Sequence, residues 1–172
     1  MGIFEAGISE SGEMTALQEI LKPSVGLFTN IGAAHDKNFI SRIQKAGENL
    51  KLFTKADTLI YSPDYRDIHE VIIRSEIGHN VQLFTWSRNT DATLRITETK
   101  KKKSTTDIFG IFQNQEIDIT IPFIDDASIE NAIHCWAVML LFKYKQQTIK
   151  ERMLELQPIA MRLELKEGVN EC

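Results

Sequence analysis

Two residues near the start of the chain have the types and the placement to hold a cation. Glu5 follows the short apolar run Gly2-Ile3-Phe4 and precedes Gly7, and His35 follows the run Val25 to Thr29 within a loop that contains Gly32 and Ala33. Each run reads as a strand that ends in a small-residue loop, and open α/β sheets present ligand groups from such loops at the carboxyl ends of their strands. If the two strands are parallel neighbours, carboxylate and imidazole emerge at one edge. A hard cation such as Mg²⁺ takes carboxylate and water oxygens and tolerates one nitrogen ligand. Taken singly, the two residues have plainer readings, a strand-end acid and a surface or capping histidine, so the pairing carries the inference.

Other residues with chemical potential are more scattered. Asn131 falls in the first turn of an apolar helix, where its amide can meet a purine edge or be satisfied by the helix backbone. Arg162 lies between Met161 and Leu163 on an alternating segment, so it reaches either a ligand or a cross-strand acid. His134 reads as a core histidine, and His69 and His79 as surface residues. The stretch GISESGEM, Gly7 to Met14, has the glycine spacing of a phosphate-binding Walker loop, but Glu13 stands where the lysine belongs and would repel phosphate. No nucleophile has a recognisable base beside it, and no Cys/His cluster has metal-ligand spacing.

The elements that must position these residues follow from the hydrophobic pattern. A helix from Met14 to Leu21 closes at Pro23, Val25 to Thr29 is a strand, and a helix from about Ile40 to Lys55 turns Ile43, Leu50 and Phe53 to the sheet. Thr58 to Tyr61 is the next strand, Ile68, Val71 and Ile72 mark a helix, and Val81 to Trp86 is a strand. This alternation predicts an α/β fold, with βαβ units and a parallel sheet in residues 1–88. Residues 89–124 read as an antiparallel meander, Thr93 to Thr99, Asp107 to Phe112 and Glu116 to Ile121, with a turn at Gln113-Asn114. Residues 125–172 hold a helix from about Ser128 to Tyr144, apolar on nearly every face, a shorter helix from Thr148 to Leu156, and a strand beginning at Arg162.

Composition limits the function classes. A length of 172 residues with 42% hydrophobic and 26% charged residues suits one globular domain with a sizeable core. The net charge of −4 gives no electrostatic reason to bind nucleic acid or an anionic membrane, and Lys100 to Lys103 reads as a solvated turn. Cys135 in an apolar helix and Cys172 argue against a disulfide framework and for a reducing, cytoplasmic setting. The apolar run Ile133 to Phe142 is shorter than the ~20 residues of a membrane span.

Four stretches, in the order FEAGISESGEM, TNIGAAHDKNF, IENAI and AMRLE, resemble motifs of the central, ATP-binding domain of the Mur ligase family. They are spread over nearly the whole chain, and they are most similar to the branch that adds D-alanyl-D-alanine to UDP-N-acetylmuramoyl-tripeptide. The resemblance implies that Glu5 and His35 ligate Mg²⁺, that Asn30 lies near the γ-phosphate of ATP and Asn131 near adenine, and that Arg162 reaches the nucleotide. It also implies a ligase of peptidoglycan synthesis that activates a peptide carboxylate as an acyl phosphate, which an amine then attacks. UDP-muramoyl-peptide and D-alanyl-D-alanine are the implied partners.

The chain departs from the family pattern in places. Asn49 occupies the position of the family's carbamylated lysine, with Lys45 and Lys51 out of register, and Ser9 and Ser128 stand where relatives often carry asparagine. The family's Gly-rich phosphate loop and UDP-substrate domain would precede Met1, and its Asn-Asp strand and amino-substrate domain would follow Cys172. The expected fold is therefore a Mur ligase central domain truncated at both ends, inactive without those flanking domains; some members of this branch are fused to alanine racemase. Folylpolyglutamate synthase shares the architecture and is a related reading. A non-catalytic scaffold is the alternative from another class, favoured by Asn49 and opposed by Glu5, Asn30, His35 and Arg162.

Overall fold

Short runs rich in β-branched and aromatic residues pair into one sheet, as their composition requires. In this computed structural model, residues 2–31 and 39–157 are described. The elements run α1 (Glu13–Leu21), β1 (Val25–Leu27), α2 (Arg42–Leu50) with a 3₁₀ turn at Lys51–Phe53, β2 (Thr58–Tyr61), α3 (Arg66–Arg74), α4 (Ile77–Asn80) and β3 (Gln82–Ser87). They continue as β4 (Leu94–Lys101), β5 (Thr106–Phe112), β6 (Gln115–Ile121), α5 (Asp126–Leu141) and α6 (Gln146–Leu154). The strands lie side by side in sequence order in a single six-stranded sheet.

The sheet changes character midway, as the pattern predicts. β1, β2 and β3 are parallel, in register at Val25↔Thr58 and Thr58↔Gln82. β4 leaves the 88–93 loop beside the end of β3, so their parallel pairing is confined to Trp86↔Leu94 and Ser87↔Arg95. β4, β5 and β6 are antiparallel. The β5–β6 hairpin turns on Gln113 and Asn114, both at positive φ (51° and 62°), the backbone that a two-residue turn needs to match strand twist.

Because side chains alternate across a strand, β2 feeds two cores. Ile60 joins Phe84, Trp86, Leu94, Ile108 and Ile119 under Ile133, Trp136 and Ala137 of α5 and Ile149 and Met153 of α6. Leu59 and Tyr61 join Met14, Ala46, Leu50, Phe53, Ile68 and Ile72, which come from α1, α2, the 3₁₀ turn and α3. Gly26 in β1 has no room for a side chain: a Cβ there would lie 2.4 Å from the Phe53 ring.

Several expectations need correction. Gly2 to Phe4 form no strand, and Ile3 and Phe4 are 89% and 69% exposed. A strand exists through its ladder, and no described segment pairs with the outer side of β1, the edge strand. The chain first enters the core at Ile8, so Glu5 sits in irregular backbone. The 40–55 helix is shorter, capped by Ser41, whose Oγ accepts the Gln44 N–H at 3.1 Å. Ala46 and Leu50, one turn apart, form its buried stripe, and Ile43 in the first turn is exposed. α5 is not buried all round, since Asn131 and Cys135 face outward. The Lys100 to Lys102 charges are balanced by Glu98, Asp126 and Asp107. No helix among the described residues is long and apolar enough to cross a membrane. The segment read as a final strand, and Arg162 with it, lies outside the described residues, as does His35.

Two predictions follow from these cores. Gly26→Ala forces Phe53 out of its place and should cost about 1–3 kcal/mol, read as a lower urea midpoint at unchanged slope. His134 is fully buried, and burial lowers its pKa to about 4 from an ordinary value of 6.5. The folded state therefore refuses a proton that the unfolded chain accepts. Its stability is complete above pH 6.5 and is lost as pH falls towards 4, by up to about 3 kcal/mol from this residue. Urea unfolding at pH 7 and pH 5 should show that slope, and His134→Leu should flatten it.

Candidate functional site

The carboxyl ends of β2 and β3 are fastened together by short polar side chains. β2 runs into Ser62-Pro63-Asp64, and the Asp64 carboxylate reaches across to the end of β3, accepting the Ser87 Oγ–H at 2.5 Å and the Arg88 N–H at 2.9 Å. Ser87 Oγ in turn accepts the Asn89 and Thr90 N–H groups at 3.0 and 2.9 Å. One carboxylate thus fixes the turn that launches β4. Tyr65, the next residue on β2's side, donates its hydroxyl to both oxygens of Glu130 on α5 at 2.7 Å. Burial, with Glu130 beside it, pushes the Tyr65 hydroxyl up to about 12, so it stays a donor at neutral pH.

Beneath this edge, Trp86 donates its indole N–H to His134 Nδ1 at 3.0 Å, and the Arg88 guanidinium lies 5.5 Å from the Trp86 ring centroid. A neutral imidazole that accepts at Nδ1 carries its proton on Nε2. That buried nitrogen has no partner among the described residues. His134 is therefore a neutral core residue braced against β3.

Beyond the ends of β1 and β2 opens a cleft of about 340 Å³, with Ile31, Asp64, Tyr65 and Ile68 among its walls. Arg42 and Arg66 both line it, with Asp67 beside Arg66, and Arg42 Nη2 donates to the Ile31 carbonyl at 3.3 Å. Its position at the carboxyl edge of parallel strands is where α/β sheets hold ligands. Two guanidiniums in a concave wall can take a carboxylate or phosphate. Asn30 is exposed and adjoins the Ile31 wall; Asn131 is exposed beside Glu130, which holds Tyr65. Each of the two is thus the sequence neighbour of a residue that touches this edge.

Glu5 is exposed, and among the described residues it pairs with no base. No group of three His, Cys, Asp or Glu side chains among the described residues could hold a metal ion. The described donors alone do not build a Mg²⁺ site. Asn49 turns its Nδ2 back to the Lys45 carbonyl at 2.9 Å, within its own helix. Lys45, one turn earlier, is buried, with Nζ 6.0 Å from the Phe39 ring centroid.

The Gly7 to Gly12 loop bears out its rejection as a phosphate loop. Glu13 accepts the Ser9 and Glu10 N–H groups at 2.6 and 3.0 Å, and Glu48 accepts that of Gly12 at 3.1 Å. Carboxylates already occupy the amides that a phosphate would need. Asp64, Arg42 and Arg66 were not singled out by their types or spacing. The one available signal was Ser62-Pro63-Asp64, a strand end that places a carboxylate where ligand loops begin.

A sheet that is parallel on one side, antiparallel on the other and open at the carboxyl ends of its parallel strands defines an α/β domain of the ligand-edge type. The chain belongs to the Mur ligase family: the family's middle-domain model matches residues 1–139. It is 32% identical over 125 residues to the UDP-N-acetylmuramoyl-tripeptide--D-alanyl-D-alanine ligase of Rickettsia prowazekii, a match that covers 71% of this chain and 28% of that protein. Its fold is that of MurF from Acinetobacter baumannii, at a TM-score of 0.82 and 18% identity over 97% of this chain and 36% of the other. MurF ligase from Thermotoga maritima, solved in complex with ADP, matches at 0.72 and 15% identity over 93% and 37% of the two chains. The chain thus spans about a third of the length of these relatives.

Removing the Asp64 carboxylate should free Ser87 Oγ and the Arg88 N–H together. Asp64→Ala should destabilise by about 1–3 kcal/mol, with hydrogen exchange at Arg88, Asn89 and Thr90 accelerated and that of β6 unchanged.

Proposed function

We propose that residues 1–172 are most of the central domain of an ATP-dependent ligase that joins D-alanyl-D-alanine to UDP-N-acetylmuramoyl-tripeptide in peptidoglycan synthesis. The observation that carries this reading is the 32% identity to a ligase of that name over 125 residues, 71% of this chain. The ADP complex of a structural relative supports a nucleotide as the cofactor. On this reading the chain alone has no turnover, because it spans about a third of such a ligase.

In the mechanism we infer, Asn30 lies near the γ-phosphate, Arg162 reaches the nucleotide, Asn131 lies by the adenine, and Glu5 with His35 would hold Mg²⁺. A bound Mg²⁺ supplies charge neutralisation for phosphoryl transfer. Phosphoryl transfer is governed by positioning and electrostatics, and so this chain's residues act mainly by orientation. The exposed Glu5 carboxylate is free to accept a cation, and Arg42 and Arg66, which share the cleft wall with Asp64 and Asp67, offer guanidinium donors to the acyl substrate's carboxylate. The peptide carboxylate oxygen attacks the γ-phosphorus, ADP leaves, and the amine then displaces phosphate from the acyl carbon. Asn49 in place of the carbamylated lysine is compatible with turnover on this reading.

The test is phosphate release by the full-length ligase that contains residues 1–172, supplied with UDP-muramoyl-tripeptide, D-alanyl-D-alanine, ATP and Mg²⁺. Turnover should need both substrates, and His35→Ala should lower it about 100-fold or more. A folded ligase without turnover would point instead to a non-catalytic scaffold.

A further inference from the structure

Glu48 is an acid at 9% exposure on α2, and burying a carboxylate is costly unless its oxygens are satisfied. Here they are. Oε1 accepts Lys51 Nζ at 2.6 Å, and Oε2 accepts the Gly12 N–H at 3.1 Å, with the Ser11 hydroxyl also bonded to the carboxylate. Lys51, ahead of Gly12 and Ser11, holds the Glu48 carboxyl below its ordinary range. The Lys51 contact is local to α2, but the other two span the chain and reach the loop before α1.

Gly12 stands at the start of α1 with φ 96°, and no side chain caps the helix. Glu13 closes the turn from inside by taking the Ser9 and Glu10 N–H groups, and Ile8 anchors its far end in the core. Glu48 hydrogen-bonds this turn to α2, above the apolar contact that Ile8 and Met14 make with Ala46 and Leu50 in the same core. Glu5 lies three residues before Ile8, and α2 is the helix that follows the His35 loop in the chain.

We propose that Glu48 is a positioning residue, whose carboxylate latches the Gly7 to Gly12 loop onto α2 and so fixes the course of the chain from the Glu5 segment into α1. The functional half of this rests on the ligase reading above. The latch itself stands on Gly12, Ser11 and Lys51. A purely structural ion pair would lower stability and leave the ratio of kcat to folded protein alone, whereas a latch that sets geometry lowers kcat in protein that remains folded.

The experiment compares Glu48→Ala and Glu48→Gln in the full-length ligase with Lys55→Ala, which breaks an exposed pair with Glu19. In Glu48→Ala, hydrogen exchange at Ser11 and Gly12 should quicken about tenfold or more, and kcat per folded protein should fall about tenfold or more with KM for the muramoyl peptide within about threefold. Glu48→Gln keeps an acceptor for the Gly12 N–H and should return kcat to within about threefold of the unmutated ligase, as should Lys55→Ala. Unchanged exchange in Glu48→Ala overturns the latch. Faster exchange with undiminished kcat overturns its role in positioning. Where Glu48→Ala does not fold, Glu48→Asp, one methylene shorter, must move both readouts in the same direction or the proposal fails. No turnover from the unmutated ligase overturns the ligase reading and the catalytic consequence, while exchange still decides whether the latch exists.

Discussion

The burial of β2 on both faces is the constraint from which the rest of the arrangement follows. Thr58, Leu59, Ile60 and Tyr61 are all nearly inaccessible, at 5%, 0%, 0% and 1%. A strand with no wet face must be covered on both sides, and β2, parallel to both of its neighbours, is covered by the helices of the βα crossovers on one side and by α5 on the other. Leu59 and Tyr61 commit α1, α2 and α3 to one side, and Ile60 commits α5 to the other. A shift of one residue in register would exchange those sets and leave both cores unmatched. The edge at which ligand groups collect is therefore fixed by packing before any polar contact is made.

Polar contacts then give that edge its shape. Asp64 joins the ends of β2 and β3, and Tyr65 joins β2 to α5 through Glu130. Each is a contact between elements distant in the chain, so the loops lining the cleft are held from below and not only by their own turns. Such support is what lets a loop present a group with fixed direction. The two arginines of the cleft come from helix beginnings, Arg42 from α2 and Arg66 from α3, and so inherit the rigidity of their helices.

The interior of this fold was legible in the sequence because its signals are local. Leu59 to Tyr61 is a short apolar run, and Gln113-Asn114 carries its own turn chemistry. What the sequence missed depends on partners far along the chain. Gly2 to Phe4 has a strand's composition but gains no ladder, and Ile43 has a helix's apolar spacing but lies in a first turn that the core does not reach. At the edge, Asn30 is adjacent in sequence to Ile31 of the cleft wall, and Asn131 to Glu130, which holds Tyr65. Asp64 and Glu48 escaped notice because an acid's role is decided by the amide it meets, 24 and 36 residues away, and no spacing rule encodes that.

The two cores also divide the molecule optically. The chain has two tryptophans, and both, Trp86 and Trp136, lie in the core between the sheet and α5, with none in the core formed by α1, α2 and α3. Indole emission therefore reports on the α5 side alone. The side that carries Glu48, Gly12 and the approach to Glu5 is silent in that signal and is lit only by tyrosine, chiefly Tyr61. A change in the loops around the proposed latch could leave the tryptophan spectrum untouched, so a constant emission maximum describes half of this molecule.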